Sequence, residues 1–271
     1  GIRSNSSKEA KDVKLLLKKK KIKLTILINK EKIKKNIQSQ ARNVRYKLLL
    51  NFCNKKKIKF ILTGHHRDDQ IETFLIRLSR GSGIQGLSSM KKISSLNNKT
   101  KLIRPLLEFK KQDLTNLAKQ YFGKIFKDPS NTNKKYLRTR VRALIKHFKK
   151  SGIKHEMIIN SINNLGVTRD TLNTYINSVE KKCVIIKKKE VIINLKILLI
   201  ENDEIQLKVF SNCIKNFSKN YYPPRAKKVL NLLNKVKFNE KMKFTLGGCV
   251  IQKIHKNLVI YKEKLKKGLK I

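Results

Sequence analysis

The feature that most constrains this chain is a short apolar run, Ile58 to Thr63, which ends at Gly64 and feeds a helical pattern from about Asp68 to Ser79. A brief run of this kind, closed by glycine, fits a strand buried in a parallel sheet. Upstream, Ser6 and Glu9 stand at capping-box spacing and open a helix that continues to about Lys20. Ile22 to Ile28 is β-branched and apolar and reads as a strand. Asn36 to Lys57 reads as a long helix with the stripe Ile37, Ala41, Val44 and Leu48. The order α-β-α-β-α implies parallel strands joined by crossover helices, so an α/β fold with a parallel sheet is expected.

Beyond this unit the chain loops through Arg80 to Met90 and shows a second apolar stretch, Leu102 to Leu107, around Pro105. A helix from about Lys111 to Tyr121 should stop at Gly123, and Asp128-Pro129-Ser130-Asn131 is a turn cluster. Tyr136 to Lys149 is helical, with Val141, Leu144, Ile145 and Phe148 on one side. The second half has a different character. Residues from about 155 to 181 read as helix, and Val184–Ile186 with Val191–Leu195 suggest a hairpin around a lysine-rich turn. Asp203 to Phe217 and Pro224 to Val236 are amphipathic helices. Lys243–Leu246, Cys249–Ile254 and Leu258–Tyr261 read as short strands. The expected division is an α/β domain over residues 1–135, then a mostly helical second domain with a few short strands over 136–271.

Charge limits the partners. Lys and Arg number 66 against 18 Asp and Glu, a net +48, which points to a polyanion: nucleic acid first, an anionic membrane surface second. A drift toward AT-rich codons would enrich Lys, Ile and Asn in the same way, so arginine is the more informative cation. Nine of the twelve arginines (Arg42, Arg45, Arg67, Arg77, Arg80, Arg104, Arg138, Arg140 and Arg142) fall between residues 42 and 142. The 39% hydrophobic content excludes wholesale disorder, and no run approaches the roughly 18 apolar residues of a membrane span. Cys53, Cys183, Cys213 and Cys249 form no C-x-x-C pair, which argues against a zinc or iron–sulfur site and fits a reducing cytoplasm. The first residue is Gly1 and not Met, so the chain is expected to begin inside a gene product.

The densest chemistry is Gly64-His65-His66-Arg67-Asp68-Asp69-Gln70-Ile71-Glu72-Thr73, at a strand's carboxyl end, where open α/β sheets bind ligands. Ile71, Phe74, Leu75 and Leu78 make the buried stripe of the following helix, while Asp69 and Glu72 project together from another side. Two such acids suit a Mg²⁺ ion shared with substrate phosphates, or the orientation of an amine. The alternative is a solvated first turn whose acids meet the helix dipole. His65 and His66 are adjacent and would point to opposite faces of a strand, so one zinc ion rarely takes both. One is expected to face substrate or phosphate and the other to pack.

Gly81-Ser82-Gly83-x-x-Gly86 follows that helix instead of leading a strand into one, so a flexible loop is the better reading than a phosphate cradle. Arg42 and Arg45 lie one turn apart, opposite the apolar stripe, and Arg138 and Arg142 are stacked at i,i+4 with Arg140 between them. Guanidinium forks in these positions could hold a nucleotide's phosphates or an RNA backbone; a solvated basic face is the alternative.

The segment His65 to Met90, with Ala41-Arg42, Arg45-Tyr46, Asp128-Pro129-Ser130-Asn131 and Tyr136, Arg138, Arg140 and Arg142, resembles the tRNA(Ile)-lysidine synthetases. Ile2-Arg3-x-x-Ser6-x-x-Glu9-Ala10 is similar to the family's segment after its second strand, and Thr245-Leu246-Gly247-Gly248 to a closing β-segment. The resemblance implies a PP-loop ATP pyrophosphatase domain, of the adenine nucleotide alpha hydrolase kind. It further implies an enzyme that adenylates C2 of the wobble cytidine of a CAU-anticodon tRNA(Ile) and then lets the ε-amine of L-lysine displace AMP, giving lysidine. On it, Asp69 and Glu72 would serve the amine or a catalytic Mg²⁺ (Asp69 foremost). Arg45 would contact the nucleotide or reacting base, His65, His66 and Arg42 would bind ATP, and Arg138, Arg140 and Arg142 would face phosphate or tRNA. A homodimer and no membrane association are also implied.

The family's Ser-Gly-Gly-x-Asp-Ser loop has no counterpart, so the PP-loop domain is expected to be incomplete at its N-terminus. A tRNA 2-thiocytidine synthetase carries a similar histidine–acid stretch but needs a C-x-x-C pair where this chain reads Gln38-Ser39-Gln40-Ala41. A catalytically inactive tRNA-binding homologue is the remaining alternative.

Overall fold

A computed structural model describes residues 6–29, 37–126, 133, 135–218, 223–239 and 242–263. Ile2-Arg3 and the turn cluster Asp128-Pro129-Ser130-Asn131 lie outside the described residues. The chain forms two compact units, dividing between Val167 and Thr168.

The first unit begins with α1 (Ser6–Lys19) and α2 (Ile37–Lys55). Ile22 to Ile28, expected as a strand, has no regular structure and joins no ladder among the described residues. Its first amide closes a turn onto the carbonyl of Leu17 (2.9 Å), and Ile28 is 75% exposed. β-branched composition favours extended backbone, yet a strand exists only where a neighbour accepts its hydrogen bonds.

The sheet is built from β1 (Phe60–Leu62), β2 (Ile93–Ser95) and β3 (Lys101–Ile103), in the order β1-β3-β2. β1 and β3 run parallel, with Ile61 opposite Leu102, while β2 is antiparallel to β3. Ile61 and Leu102 are buried together with Cys53 of α2, and Tyr46, Leu49 and Leu50 pack against them. Between β1 and β2 come α3 (Arg67–Leu78) and the single turn α4 (Ile84–Leu87). α5 (Lys111–Phe122) ends at Gly123, whose left-handed φ of 69° lets its amide reach back to the Lys119 carbonyl at 2.8 Å.

α6 (Leu137–Lys150) packs on α3, and α7 (His155–Cys183) crosses the division between the units. The division therefore falls later than the expected 135/136. α6, read from sequence as the start of the second domain, belongs to the first unit because its arginines are ion-paired to α3.

The second unit carries more sheet than its helical patterns suggest. β4 (Val184–Ile186) and β5 (Glu190–Asn194) form the expected hairpin, followed by α8 (Leu195–Leu198), α9 (Asp203–Ser218) and α10 (Ala226–Phe238). β6 (Met242–Leu246), β7 (Cys249–Ile254) and β8 (Asn257–Lys262) complete an antiparallel sheet in the order β4-β5-β8-β7-β6. β5 alternates in burial, and Val191 and Ile193 enter a core shared with Phe210, Ile214, Val229, Val236, Ile251 and Ile260. Gly247 and Gly248 turn β6 into β7 with φ of 65° and 78°, the pair of positive values a tight two-residue hairpin requires. A Cβ on Gly247 would stand 2.9 Å from the Ile214 side chain, so the turn also sits hard against α9. All four cysteines are buried and unpaired, Cys53 in the first unit's core and Cys183, Cys213 and Cys249 in the second's. Among the described residues no helix is long and apolar enough to cross a membrane.

Candidate active site

β1 and β3 place their carboxyl ends side by side, and the parallel ladder continues one step beyond them, with the Thr63 amide donating to the Ile103 carbonyl at 3.0 Å. Thr63 Oγ1 then lies 2.8 Å from Nδ1 of His65, which fixes one ring nitrogen of that imidazole. His66 occupies the position before α3, and its amide donates to Asp69 Oδ2 at 3.1 Å. Asp69 thereby satisfies an amide at the helix start, where a negative charge is also favoured. Asp68 is engaged elsewhere. Its Oδ2 accepts the Lys111 amide at 2.9 Å and ties the start of α3 to the start of α5.

The two histidines differ in surroundings, and both stand on the connecting turn and not on a strand. The His66 ring lies against both acids, with Nε2 3.4 Å from Asp69 and Nδ1 3.6 Å from Asp68. Its Nδ1 is buried without a hydrogen bond. The His65 pKa is lowered, first by burial. Asp69 opposes the shift, and Arg104, Arg42 and Arg138 reinforce it. One imidazole thus feels charges contributed by α2, α3, α6 and the end of β3.

A histidine with a lowered pKa binds its proton more readily in the unfolded chain. Its contribution to stability is present above the unfolded value of about 6.5 and is lost as pH falls below it. The denaturation midpoint of the first unit should therefore drop on acidification below about pH 6.5. His65→Gln should flatten that drop, as followed by circular dichroism; an unchanged pH profile would remove His65 from the titrating group.

Glu72 is 3% exposed and fully engaged. Arg142 approaches it with Nε 2.6 Å from Oε1 and Nη2 3.3 Å from Oε2, and Arg138 Nε lies 3.0 Å from Oε2. The hydrogen bond to Glu72 is the leading reason that the Arg142 pKa is raised. The spacing that stacked Arg138 and Arg142 on one helical face is thus present, but that face meets an acid of α3. Arg142 is held by Glu72, while Arg138, its side chain 44% exposed, also stands 4.0 Å from Asp69. Arg42 lies over the Tyr46 ring, 5.0 Å from its centroid. Arg45 and Arg140 are exposed and are not among the charges acting on His65.

Arg104 was not singled out from sequence for this site. It follows β3 directly, is 7% exposed, and donates from Nη1 to the Lys91 carbonyl (2.7 Å) and to Ser94 Oγ (3.1 Å). The signal was an arginine closing an apolar run just before Pro105.

The glycine-bearing loop is held in place, unlike the flexible segment expected. Gln70 exchanges two hydrogen bonds with the Met90 backbone, and Arg77 Nη1 donates to the carbonyls of Gly86 (2.7 Å) and Ser89 (3.0 Å). A Cβ on Gly86 would come 2.6 Å from that of Ser82, so glycine there permits close packing. Among the described residues no three His, Cys, Asp or Glu side chains come together as a metal site.

A family described as the PP-loop domain matches residues 1–148. The tRNA(Ile)-lysidine synthase of Wolbachia pipientis wMel is 36% identical over 267 residues, 97% of this chain and 62% of that protein. The tRNA(Ile)-lysidine synthase of Orientia tsutsugamushi (strain Boryong) is 32% identical over 272 residues, and that of Anaplasma marginale (strain St. Maries) is 42% identical over 125. The Orientia match covers 97% of this chain and 61% of that protein, and the Anaplasma match 46% and 27%. The chain thus spans about 62% of the length of the first of these relatives. Because residues 1–148 take in β1, α3, the acids and every arginine acting on His65, and exceed half of the sequence, the chain belongs to the PP-loop domain family.

Proposed function

We propose that the gene product carrying this sequence uses ATP to join L-lysine to C2 of the wobble cytidine in a CAU-anticodon tRNA(Ile). The observation that carries this reading is identity to a lysidine synthase that continues through both units over 267 residues, well past the PP-loop match. ATP first adenylates the cytidine and releases pyrophosphate. The lysine ε-nitrogen then forms the C2–N bond, the C2–O bond to AMP breaks, and a proton leaves the nitrogen.

The chemistry of the site suits these charges. Arg42 and Arg138 supply guanidinium groups for phosphate beside His65, and the buried Arg104 adds its charge to the same field. Asp69 is the carboxylate available to an incoming ammonium. Glu72 acts through Arg138 and Arg142, holding α6 against α3. Arg45 and Arg140, on exposed faces, are assigned to the tRNA backbone. A Mg²⁺ ion in this reading would be held chiefly by nucleotide phosphates, with Asp69 as a protein ligand.

The test is ATP-dependent incorporation of radiolabelled lysine into a tRNA(Ile) transcript with a CAU anticodon. Label should appear as lysidine at the wobble position, with stoichiometric AMP. No incorporation, or equal incorporation into a transcript with a uridine wobble base, refutes the proposal.

A further inference from the structure

A cavity of about 1030 Å³ lies wholly within the second unit and includes none of the residues assigned above. Val184, Val191 and Cys213 form an apolar floor, and two aromatic side chains, Phe217 and Tyr261, join the lining. The rim is cationic: Lys181 from α7, Lys187, Lys188 and Lys189 from the β4–β5 turn, and Lys262 from the end of β8, against one acid, Glu180. Glu180 Oε1 accepts a hydrogen bond from the Asn212 amide at 2.8 Å, so part of its charge is directed to the wall. Lys187 pairs with Glu190 at 3.0 Å, an exposed contact of little strength.

We infer that this cavity is a binding site for an unstacked nucleotide of single-stranded RNA, its base against Tyr261 and Phe217 and its flanking phosphates on the lysine rim. Aromatic faces inside a basic groove are the combination by which single strands are held without base-specific hydrogen bonds. A duplex keeps its bases stacked on one another and offers only phosphates. An acyl chain with a single carboxylate would use the apolar floor, but it needs one cation and leaves the remaining lysines and both rings unused. The volume accommodates a nucleotide with its neighbours' sugars. The site deepens the reading of the protein as a tRNA-acting enzyme, yet it requires neither lysine nor ATP, so either can fail without the other.

The experiment uses the full chain and a short single-stranded oligoribonucleotide with one 2-aminopurine, whose fluorescence is quenched on stacking. Binding should quench it, and the same sequence annealed into a duplex should bind more weakly. Tyr261→Leu keeps an apolar side chain in β8; it should weaken binding by about tenfold and abolish the quench without changing the salt dependence. Lys188→Gln should do the converse, lowering the slope of log affinity against log salt by about 0.7 while leaving the quench at saturation intact. Circular dichroism melts of both variants verify folding. Equal binding of single strand and duplex with no quench, or saturable uptake of a fluorescent fatty acid in place of the oligonucleotide, overturns the assignment. So does wild-type affinity in Tyr261→Leu.

Discussion

Glu72→Gln is expected to destabilise the first unit by about 2–3 kcal/mol and, under the proposed function, to stop lysine transfer with it. The carboxylate is buried and holds two guanidinium groups, and the isosteric amide keeps an acceptor oxygen but removes the charge that both arginines require. Removing one member of a buried ion pair costs roughly 3–5 kcal/mol; the exposure of Arg138 to solvent screening brings the figure down. Arg142→Gln should be costly alone and add little once Glu72 is gone, giving a coupling of about 1–3 kcal/mol in a double-mutant cycle. Arg138→Gln, removing the more exposed partner, should cost below about 1 kcal/mol. Chemical denaturation checks all four proteins. Unchanged stability with lost activity would instead return Glu72 to direct contact with substrate, the role its spacing from Asp69 suggested in the sequence.

Asp69→Asn should separate chemistry from stability in the opposite sense. The amide oxygen can still accept the His66 N–H, so the start of α3 loses the favourable interaction of a charge with the helix dipole, about 0.3–1 kcal/mol, together with the 4.0 Å ion pair to the half-exposed Arg138. Under the proposed function lysine transfer should fall a hundredfold or more, because that reading gives the Asp69 charge to the incoming ammonium. A second readout needs no substrate. The Asp69 carboxylate holds the His65 pKa up against burial and three arginines, so its neutralisation should push that pKa lower still, visible by NMR titration of the imidazole. Near-normal transfer by Asp69→Asn would end the assignment of this acid, and an unmoved His65 titration would end the electrostatic account of the site.

The parts of the fold legible in the sequence were those fixed by local pattern. The β1–α3 junction announced itself through a short apolar run and Gly64, and α5 through Gly123 at its end; of the stripe expected on α3, Ile71 is buried but Leu78 is 50% exposed, and Asp69 and Glu72 are buried instead. α6 was legible as a helix, but its partner was not. The i,i+4 spacing of Arg138 and Arg142 shows only that they share a face. What that face meets is a carboxylate 70 residues earlier in the chain, a distance across which periodicity is silent. Arg104 escaped for a related reason: its neighbours, Lys91 and Ser94, come from a strand and its approach too short and too polar to read as one. Ile22 to Ile28 went the other way, since composition promised a strand and no pairing partner stands beside it among the described residues. In the second unit the β4–β5 hairpin and the later short strands were visible, while the joining of β5 to β8, with Ile192 opposite Val259, depends on residues far apart in sequence.

The distribution of sulfur gives each unit its own built-in clock. Cys53 stands in the core beneath β1 and β3, whereas Cys183, Cys213 and Cys249 stand in the core of the antiparallel sheet. Burial pushes up the pKa of all four, and Cys183 is pushed up to about 11, so none is a ready nucleophile while its surroundings stay closed. Alkylation must then wait for local opening, and its rate reports the free energy of that opening. A reagent followed by peptide mass would time the loosening of the first unit at one sulfur and that of the second unit at three others, in a single unperturbed polypeptide.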